Sequence, residues 1–303
     1  MTVIAWSPYK YKERISLFGY EGVGKSSVIL NILRYCPTAH AWVIDLDYSQ
    51  SYERLIAQEY PDVADRVHIF QIDQDFTQLD QVFTSQLQST DGYLLNQASP
   101  DDWLVVDPTT ATWGMVQNYW LDQAYGDDLG AMFAQMRIAA AQAVEEGSQR
   151  KNSKNSTPYT VDQQFAADKA DLMQWPIINK LYEEKFYKKL HSWRGHLLLC
   201  SEADGLRKDA SDEEKIQYGH LGFKPKGQKT MPFVAATNLF LDHPSIDKWR
   251  FSTGKDRGRA RVHNSPLDNF VYDYLIAIGG WQWSDDQYTA PYIDGDPALG
   301  VQG

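Results

Sequence analysis

The sequence predicts an α/β fold: a mostly parallel central sheet flanked by helices and interrupted by a helical insertion. Three observations predict it. Short apolar runs alternate with helically spaced segments from Ile15 to Asp107, the rhythm of strand–helix–strand units. The first of these junctions is glycine-rich and reads Gly19-Tyr-Glu-Gly-Val-Gly-Lys25-Ser26. From Trp113 to Trp193 the rhythm stops and helix-forming composition takes over.

In chain order, Met1–Lys12 reads as a leading strand or arm beside the first core strand, and Ile15–Phe18 as that strand. After the glycine-rich loop, Val28, Ile29, Ile32 and Leu33 have helical spacing, and the helix ends around Tyr35-Cys36-Pro37. Ala41–Leu46 and Arg66–Ile72 read as strands, Phe76–Leu87 as a helix and Trp103–Asp107 as a further strand. Within the insertion, Ala131–Glu146 is helical by composition, Gly147–Pro158 is a polar, basic loop, and Gln174–Trp193 is an amphipathic helix. His196–Cys200, Phe233–Leu241 and the short Ala260–His263 read as strands. From Pro266 the chain carries no Lys or Arg; it begins helical at Phe270, Tyr274 and Leu275 and ends as a loose acidic tail. The expected organisation is a core over 1–263, with its insertion at about 114–193, followed by a C-terminal helix and tail over 264–303.

Composition narrows the function classes. Of 303 residues, 43% are hydrophobic, enough for a buried core. A net charge of −11 argues against nucleic-acid binding through bulk charge, although a local basic groove stays open. Cys36 and Cys200 both lie in or beside apolar runs, which fits reduced thiols in a cytoplasmic protein. No apolar run approaches the ~20 residues that span a bilayer, and the early charges fit no signal peptide, so neither membrane nor export is expected. His and Cys lack zinc-ligand spacing.

The octet is the phosphate-binding P-loop, G-x-x-x-x-G-K-S, in its strand–loop–helix context. Gly19, Gly22 and Gly24 let the backbone curl so that N–H groups face phosphate oxygens. The helix beginning near Lys25 adds its positive end. The expected nucleotide contacts are Gly19, Tyr20, Glu21, Gly22, Val23, Gly24, Lys25, Ser26 and Ser27. Lys25 reaches β- and γ-phosphates, and the Ser26 hydroxyl is placed to ligate Mg²⁺, so ATP with Mg²⁺ is the expected ligand pair. Asp107, closing an apolar strand, is the candidate to hold Mg²⁺ through water. Pro108 follows it, where P-loop motors carry a catalytic Glu. The base must therefore come from elsewhere, and Asp47, at the tip of the strand after the P-loop helix, is the first candidate.

With these pieces in order, the chain resembles the RecA/recombinase class, and more narrowly the small RecA-like ATPases of bacteriophages. The resemblance rests on the P-loop, on Asp45-x-Asp47 followed by Tyr52-Glu-Arg-Leu55, and on Leu104-Val-Val-Asp107. Leu198-Leu-Cys-Ser201-Glu202 and Gly222-Phe-Lys-Pro-Lys-Gly-Gln-Lys229 continue it, and it covers roughly residues 14–263. It implies a RecA-like P-loop core, ATP hydrolysis, and action on DNA, with single-stranded DNA as the partner, in recombination or replication. It also implies a homo-oligomer with ATP between subunits, in the host cytoplasm. Asp47 stands where the family has Glu. Glu202 stands where it has an amide sensor of the γ-phosphate, so Glu202 is a sensor, a second base candidate or a solvated strand end. Rival functions are a DNA-translocating or packaging motor and a nucleotide-binding regulatory protein with little turnover.

Lys224, Lys226 and Lys229 begin a stretch to Arg261 in which nine basic residues face three Asp. The glycines beside them suit a mobile loop on a phosphate backbone, with Phe223 as a stacking face. Contact with a neighbouring subunit's nucleotide and plain solvated surface are the alternatives. Arg150, Lys151 and Lys154 are a weaker candidate.

Overall fold

The computed structural model describes residues 9–73, 75–83, 88–89, 92–93, 99–126, 129–149, 160–165, 174–228, 231–245, 248–256, 259, 261–284 and 286–293. Lys229, the basic loop over 150–158 and the tail from Asp294 onwards lie outside the described residues.

A nine-stranded sheet organises the chain. Its strands are β2 (Arg14–Gly19), β3 (Ala41–Asp45), β4 (Val67–Gln71), β5 (Trp103–Asp107), β6 (His196–Gly205), β7 (Phe223–Pro225), β8 (Thr237–Ser245), β9 (Lys248–Asp256) and β10 (Ser265–Pro266). The order across the sheet is β10-β9-β8-β2-β6-β5-β3-β4, with β7 pairing to β6 off that path. The six strands from β8 to β4 run parallel, while β9, β10 and β7 are antiparallel additions. The fold is thus the expected α/β class with a mostly parallel sheet.

Strand alternation sends side chains to both faces, and both faces are covered. Ile15, Leu17, Val43, Val105 and Leu198 join one buried cluster with Val28, Ile29, Ile32 and Leu33 of α1 (Lys25–Tyr35). Ile44, Leu104, Val106, Leu197 and Leu199 join another with helices of the insertion. These helices are α4 (Thr109–Tyr125), α5 (Leu129–Gln149), α6 (Trp175–Tyr182) and α7 (Lys188–Ser192). A π-helical turn, Glu183–Tyr187, joins the last two, so the Gln174–Trp193 pattern is one interrupted helix. Two further helices, α2 (Ser51–Gln58) and α3 (Phe76–Gln81), follow β3 and β4. Residues 84–87, the expected end of α3, lie outside the described residues.

Several expectations need correcting. The Phe233–Leu241 strand starts only at Thr237, because Met231–Val234 forms a helical turn first. Arg261–His263 forms no strand; Val262 instead exchanges hydrogen bonds with Thr253. Helix α5 runs on through Gly147 to Gln149, so the polar composition there does not end it. The segment after Pro266 is not loose through Ile293. Phe270, Val271, Tyr274, Leu275 and Trp281 are buried against the P-loop-helix side of the core, around a π-helical turn at Val271–Ile276. Their apolar surface outweighs the acidic residues between them. β1 (Tyr9–Lys10) pairs with Tyr292–Ile293 instead of joining the main sheet.

Arg259 is structural. Its guanidinium, 10% exposed, pairs with buried Glu13 at 2.6 Å, and Glu13 also accepts from Trp281 Nε1 at 2.9 Å. A buried charge requires such partners, so this basic residue is not available to a polyanion.

Candidate nucleotide-binding site

The P-loop leaves β2 and enters α1 through backbone conformations that favour glycine. Gly22 and Gly24 have φ of 73° and 89°. At Gly19 the constraint is space: a Cβ would lie 2.7 Å from Leu241 O and 2.8 Å from Val23 Cγ1. Gly24 is the N-cap of α1, with no side-chain cap and no acidic residue in the first turn. The positive helix end therefore faces the loop without an internal anion to neutralise it. This is the arrangement that a phosphate group fits.

Lys25 Nζ folds back over its own loop and donates to the carbonyls of Gly19 at 3.2 Å and Tyr20 at 2.8 Å. Behind it lies a carboxylate that unites three elements. Asp107 Oδ2, on β5, accepts from Ser26 Oγ of α1 at 2.9 Å and from Tyr52 OH of α2 at 2.8 Å. Burial pushes the Asp107 carboxyl above its ordinary range, and the hydrogen bonds from Tyr52 and Ser26 and the charge of Lys25 partly restore it. Tyr52 is fully buried and its phenol is held well above its ordinary value, so it acts here as a donor.

Asp45 stands directly across from Asp107, on β3. Burial pushes its carboxyl up to about 7, with the neighbouring Asp47 and Asp107 carboxylates adding to the effect. Its Oδ1 accepts from the Asp47 N–H at 3.2 Å, while its buried Oδ2 has no hydrogen-bond partner. Asp47 itself is exposed at the strand end, where its Oδ1 accepts from Ser49 N at 2.8 Å. That is an Asx turn, and the side chain faces solvent rather than the core.

Glu202 lies between the loop and Asp107, on the strand that separates β2 from β5. On β6 it is in register with Gly19, its N–H donates to Thr110 Oγ1 at 3.3 Å, and its Oε2 accepts from Lys226 Nζ at 2.5 Å. The backbone repeats this link through Lys226 N to Glu202 O at 2.9 Å. Lys224 is likewise engaged, donating to Glu214 Oε1 at 2.6 Å. Phe223 does not stand free: it stacks on Phe240 and meets Tyr20 of the P-loop edge-on. Further along the basic stretch, Arg250 pairs with Asp242, and Lys255 donates to Ala235 O at 2.9 Å. The region expected as a mobile loop is, over Lys248–Asp256, strand β9.

The fold thus brings Lys25, Ser26, Asp107, Asp47 and Glu202 to the carboxyl ends of adjacent parallel strands, where open α/β sheets bind ligands. Sequence reasoning missed Tyr52 and Asp45. The Tyr52–Asp107 contact spans 55 residues and leaves no local pattern, while the position of Asp45 opposite Asp107 follows only from strand pairing. Among the described residues no group of three or more His, Cys, Asp or Glu could hold a metal alone. The Ser26 hydroxyl and Asp107 carboxylate still fit Mg²⁺, which takes few protein oxygens when phosphates and water complete its shell.

The architecture is a mostly parallel sheet with the P-loop on a central strand and helices on both faces. No family model and no curated protein matches the chain. Among solved structures, one titled as the crystal structure of the RadB recombinase aligns with a TM-score of 0.40 and 12% identity, covering 84% of this chain and 85% of that one. So faint a likeness adds no weight to the strand order and loop geometry. Among the described residues, no helix is long and apolar enough to cross a membrane.

Proposed function

We propose that this chain is a RecA-like ATPase of bacteriophage type that binds ATP with Mg²⁺ at Gly19–Ser27, hydrolyses it, and acts on DNA in recombination or replication. One observation carries the reading. The uncapped first turn of α1 and the Ser26–Asp107–Tyr52 hydrogen bonds meet at one point beside Lys25. Glycine-rich turns before ordinary helices need no buried carboxylate aimed at the residue after the lysine.

The roles follow from the positions. Lys25 leaves its two carbonyl partners for the β- and γ-phosphates. Ser26 and Asp107 would hold Mg²⁺, which when bound would supply charge neutralisation at the phosphates. Asp47, exposed beside the site, is the water-activating base, and Asp45 orients it through its N–H. Glu202, joined to Lys226, senses the γ-phosphate and passes its presence to the loop at Lys224–Lys229. A homo-oligomer with ATP between subunits and single-stranded DNA as partner complete the reading, in the cytoplasm of the host. We also take 1–263 as the ATPase core and 264–303 as a C-terminal addition to it.

A second reading, a nucleotide-dependent regulator with little turnover, is favoured by one feature: the shorter Asp47 is tied into its own turn at 2.8 Å from Ser49 N. ATP binding and hydrolysis measured without DNA, with single strands and with duplex separate the two. The ATPase reading expects turnover that single-stranded DNA stimulates. Tight ATP binding with no turnover under any condition supports the regulator. A folded Lys25→Ala variant with unchanged ATP affinity overturns both.

A further inference from the structure

A large concavity lies between the insertion and the Gly227–Gln228 turn, with a volume of about 930 Å³. Five rings line it: Trp113, Trp175, Tyr182, Tyr187 and His191. Trp113 and Trp175 are near parallel, with centroids 6.2 Å apart and 22° between planes, and Trp113 meets Tyr182 edge-on at 5.3 Å. Trp175 is 41% exposed, so its ring face is open to a ligand. Two amides, Asn179 and Gln228, stand among the rings; Gln228 Oε1 accepts from Tyr187 OH at 3.3 Å and its Nε2 donates to Asn179 Oδ1 at 3.4 Å, which leaves the Asn179 amide nitrogen to face a ligand.

We infer that this cavity is a binding site for unpaired nucleobases of a nucleic-acid strand. The inference rests on the reading that the chain acts on DNA, and it names a site outside the residues on which that reading stands. The chemistry selects the occupant. Flat π faces beside amides that both donate and accept match a base, which stacks through its face and hydrogen-bonds through its edge. The charges around it do not select a polyanion, because the lysines are already paired: Lys188 with Glu184 at 2.6 Å and Lys226 with Glu202 at 2.5 Å. The volume lies in the range of pockets that enclose small planar ligands. Position supplies the link to the rest of the molecule. Gln228 in the cavity wall is two residues from Lys226, which pairs with Glu202 at the carboxyl end of β6, so the cavity borders the end of the sheet where the P-loop lies.

The test is fluorescence anisotropy with a labelled oligothymidylate, an abasic strand of equal length and a duplex, with free thymidine as competitor. The wild-type chain is expected to bind the oligothymidylate about tenfold or more tightly than the abasic strand, the size of one or two stacked bases. Trp175→Ala is expected to lose most of that preference and Trp175→Phe to keep it, with equal salt slopes in all three. Unchanged melting temperatures confirm that the variants fold. A folded Trp175→Ala chain that still discriminates as the wild type does overturns the inference, as does a wild-type chain that binds abasic and base-bearing strands alike. In both of those cases the ATPase acting on DNA still stands. Free thymidine competing as well as the strand overturns a strand as the source of the base. Absence of binding to any DNA overturns the inference together with the DNA half of the proposed function.

Discussion

The P-loop and the aromatic cavity flank one ion pair, Glu202–Lys226, and are built by opposite means. The P-loop is made from consecutive residues whose backbone must curl, so its glycines and its lysine stand within eight positions, Gly19 to Ser26. The cavity draws one ring from α4 and four from the interrupted α6–α7 helix, with Gln228 of the turn after β7 closing one side. Its assembly needs Trp113, Tyr182 and Tyr187 to meet through packing. The first kind of site depends on backbone geometry and tolerates change around it. The second depends on tertiary packing, and its specificity is as deep as its rings are well held.

That contrast can be broken at several points. The largest effect is expected at the carboxylates beside the phosphates. Asp47→Asn should leave ATP bound and cut turnover by about 10²–10⁴, the usual contribution of a general base. Glu202→Gln should change turnover far less and mainly weaken the response to DNA. Steady-state ATPase beside equilibrium nucleotide binding checks both. If Glu202→Gln loses hydrolysis and Asp47→Asn keeps it, the base is Glu202.

Next in size is the buried hydrogen bond. Tyr52→Phe removes a donor from the buried Asp107 carboxylate, at a cost to folding stability of about 1–3 kcal/mol. Urea unfolding measures it. The variant should also need more Mg²⁺ for half-maximal ATP binding, since Asp107 is then charged less readily. An unchanged Mg²⁺ titration would mean that Tyr52 serves the fold alone.

Asp45 gives a pH signature. Its carboxyl is raised in the folded chain to about 7, whereas in the unfolded chain it titrates as an ordinary carboxylate. Between those two values the folded state holds more protons, so this group's contribution to stability falls as pH rises from about 4 to 7 and is flat above. Asp45→Asn should therefore raise the melting temperature at pH 8 relative to the wild type, with the gap closing towards pH 5. The raised Asp256 carboxyl remains in both chains and cancels in the difference.

The smallest effect is expected on the basic loop. The Lys226–Glu202 and Lys224–Glu214 pairs are partly exposed, and such pairs contribute about 0–1 kcal/mol each. Replacing Lys224 and Lys226 with Ala should barely move the melting temperature. If both touch phosphates, the dependence of single-strand binding on salt should flatten by about 0.7 per lost contact. An unchanged slope with basal turnover lost would assign them to a neighbouring subunit's nucleotide.

Much of the fold was legible in the chain because apolar runs of strand length separated by helical spacing leave few arrangements other than a layered parallel sheet. The antiparallel β9 was not, since Lys248–Asp256 is basic and glycine-containing and reads as loop; pairing with β8 overrides that composition. The helical start of the C-terminal segment at Phe270, Tyr274 and Leu275 was legible, but the packing of Trp281 and Ala290 beyond it was hidden among aspartates.

By itself the sequence determined the parallel α/β class and singled out the G-x-x-x-x-G-K-S loop, Lys25, Ser26 and Asp107 as candidates, because each is written in local spacing that obeys local rules. Only the tertiary structure decided that Tyr52 and Ser26 share Asp107, that Asp45 faces it from the next strand, and that, among the described residues, Lys224, Lys226, Arg250 and Arg259 pair with carboxylates. Those are encounters between residues far apart in the chain. Their distances come from strand order and register, which hydrophobic patterning constrains without naming the partner.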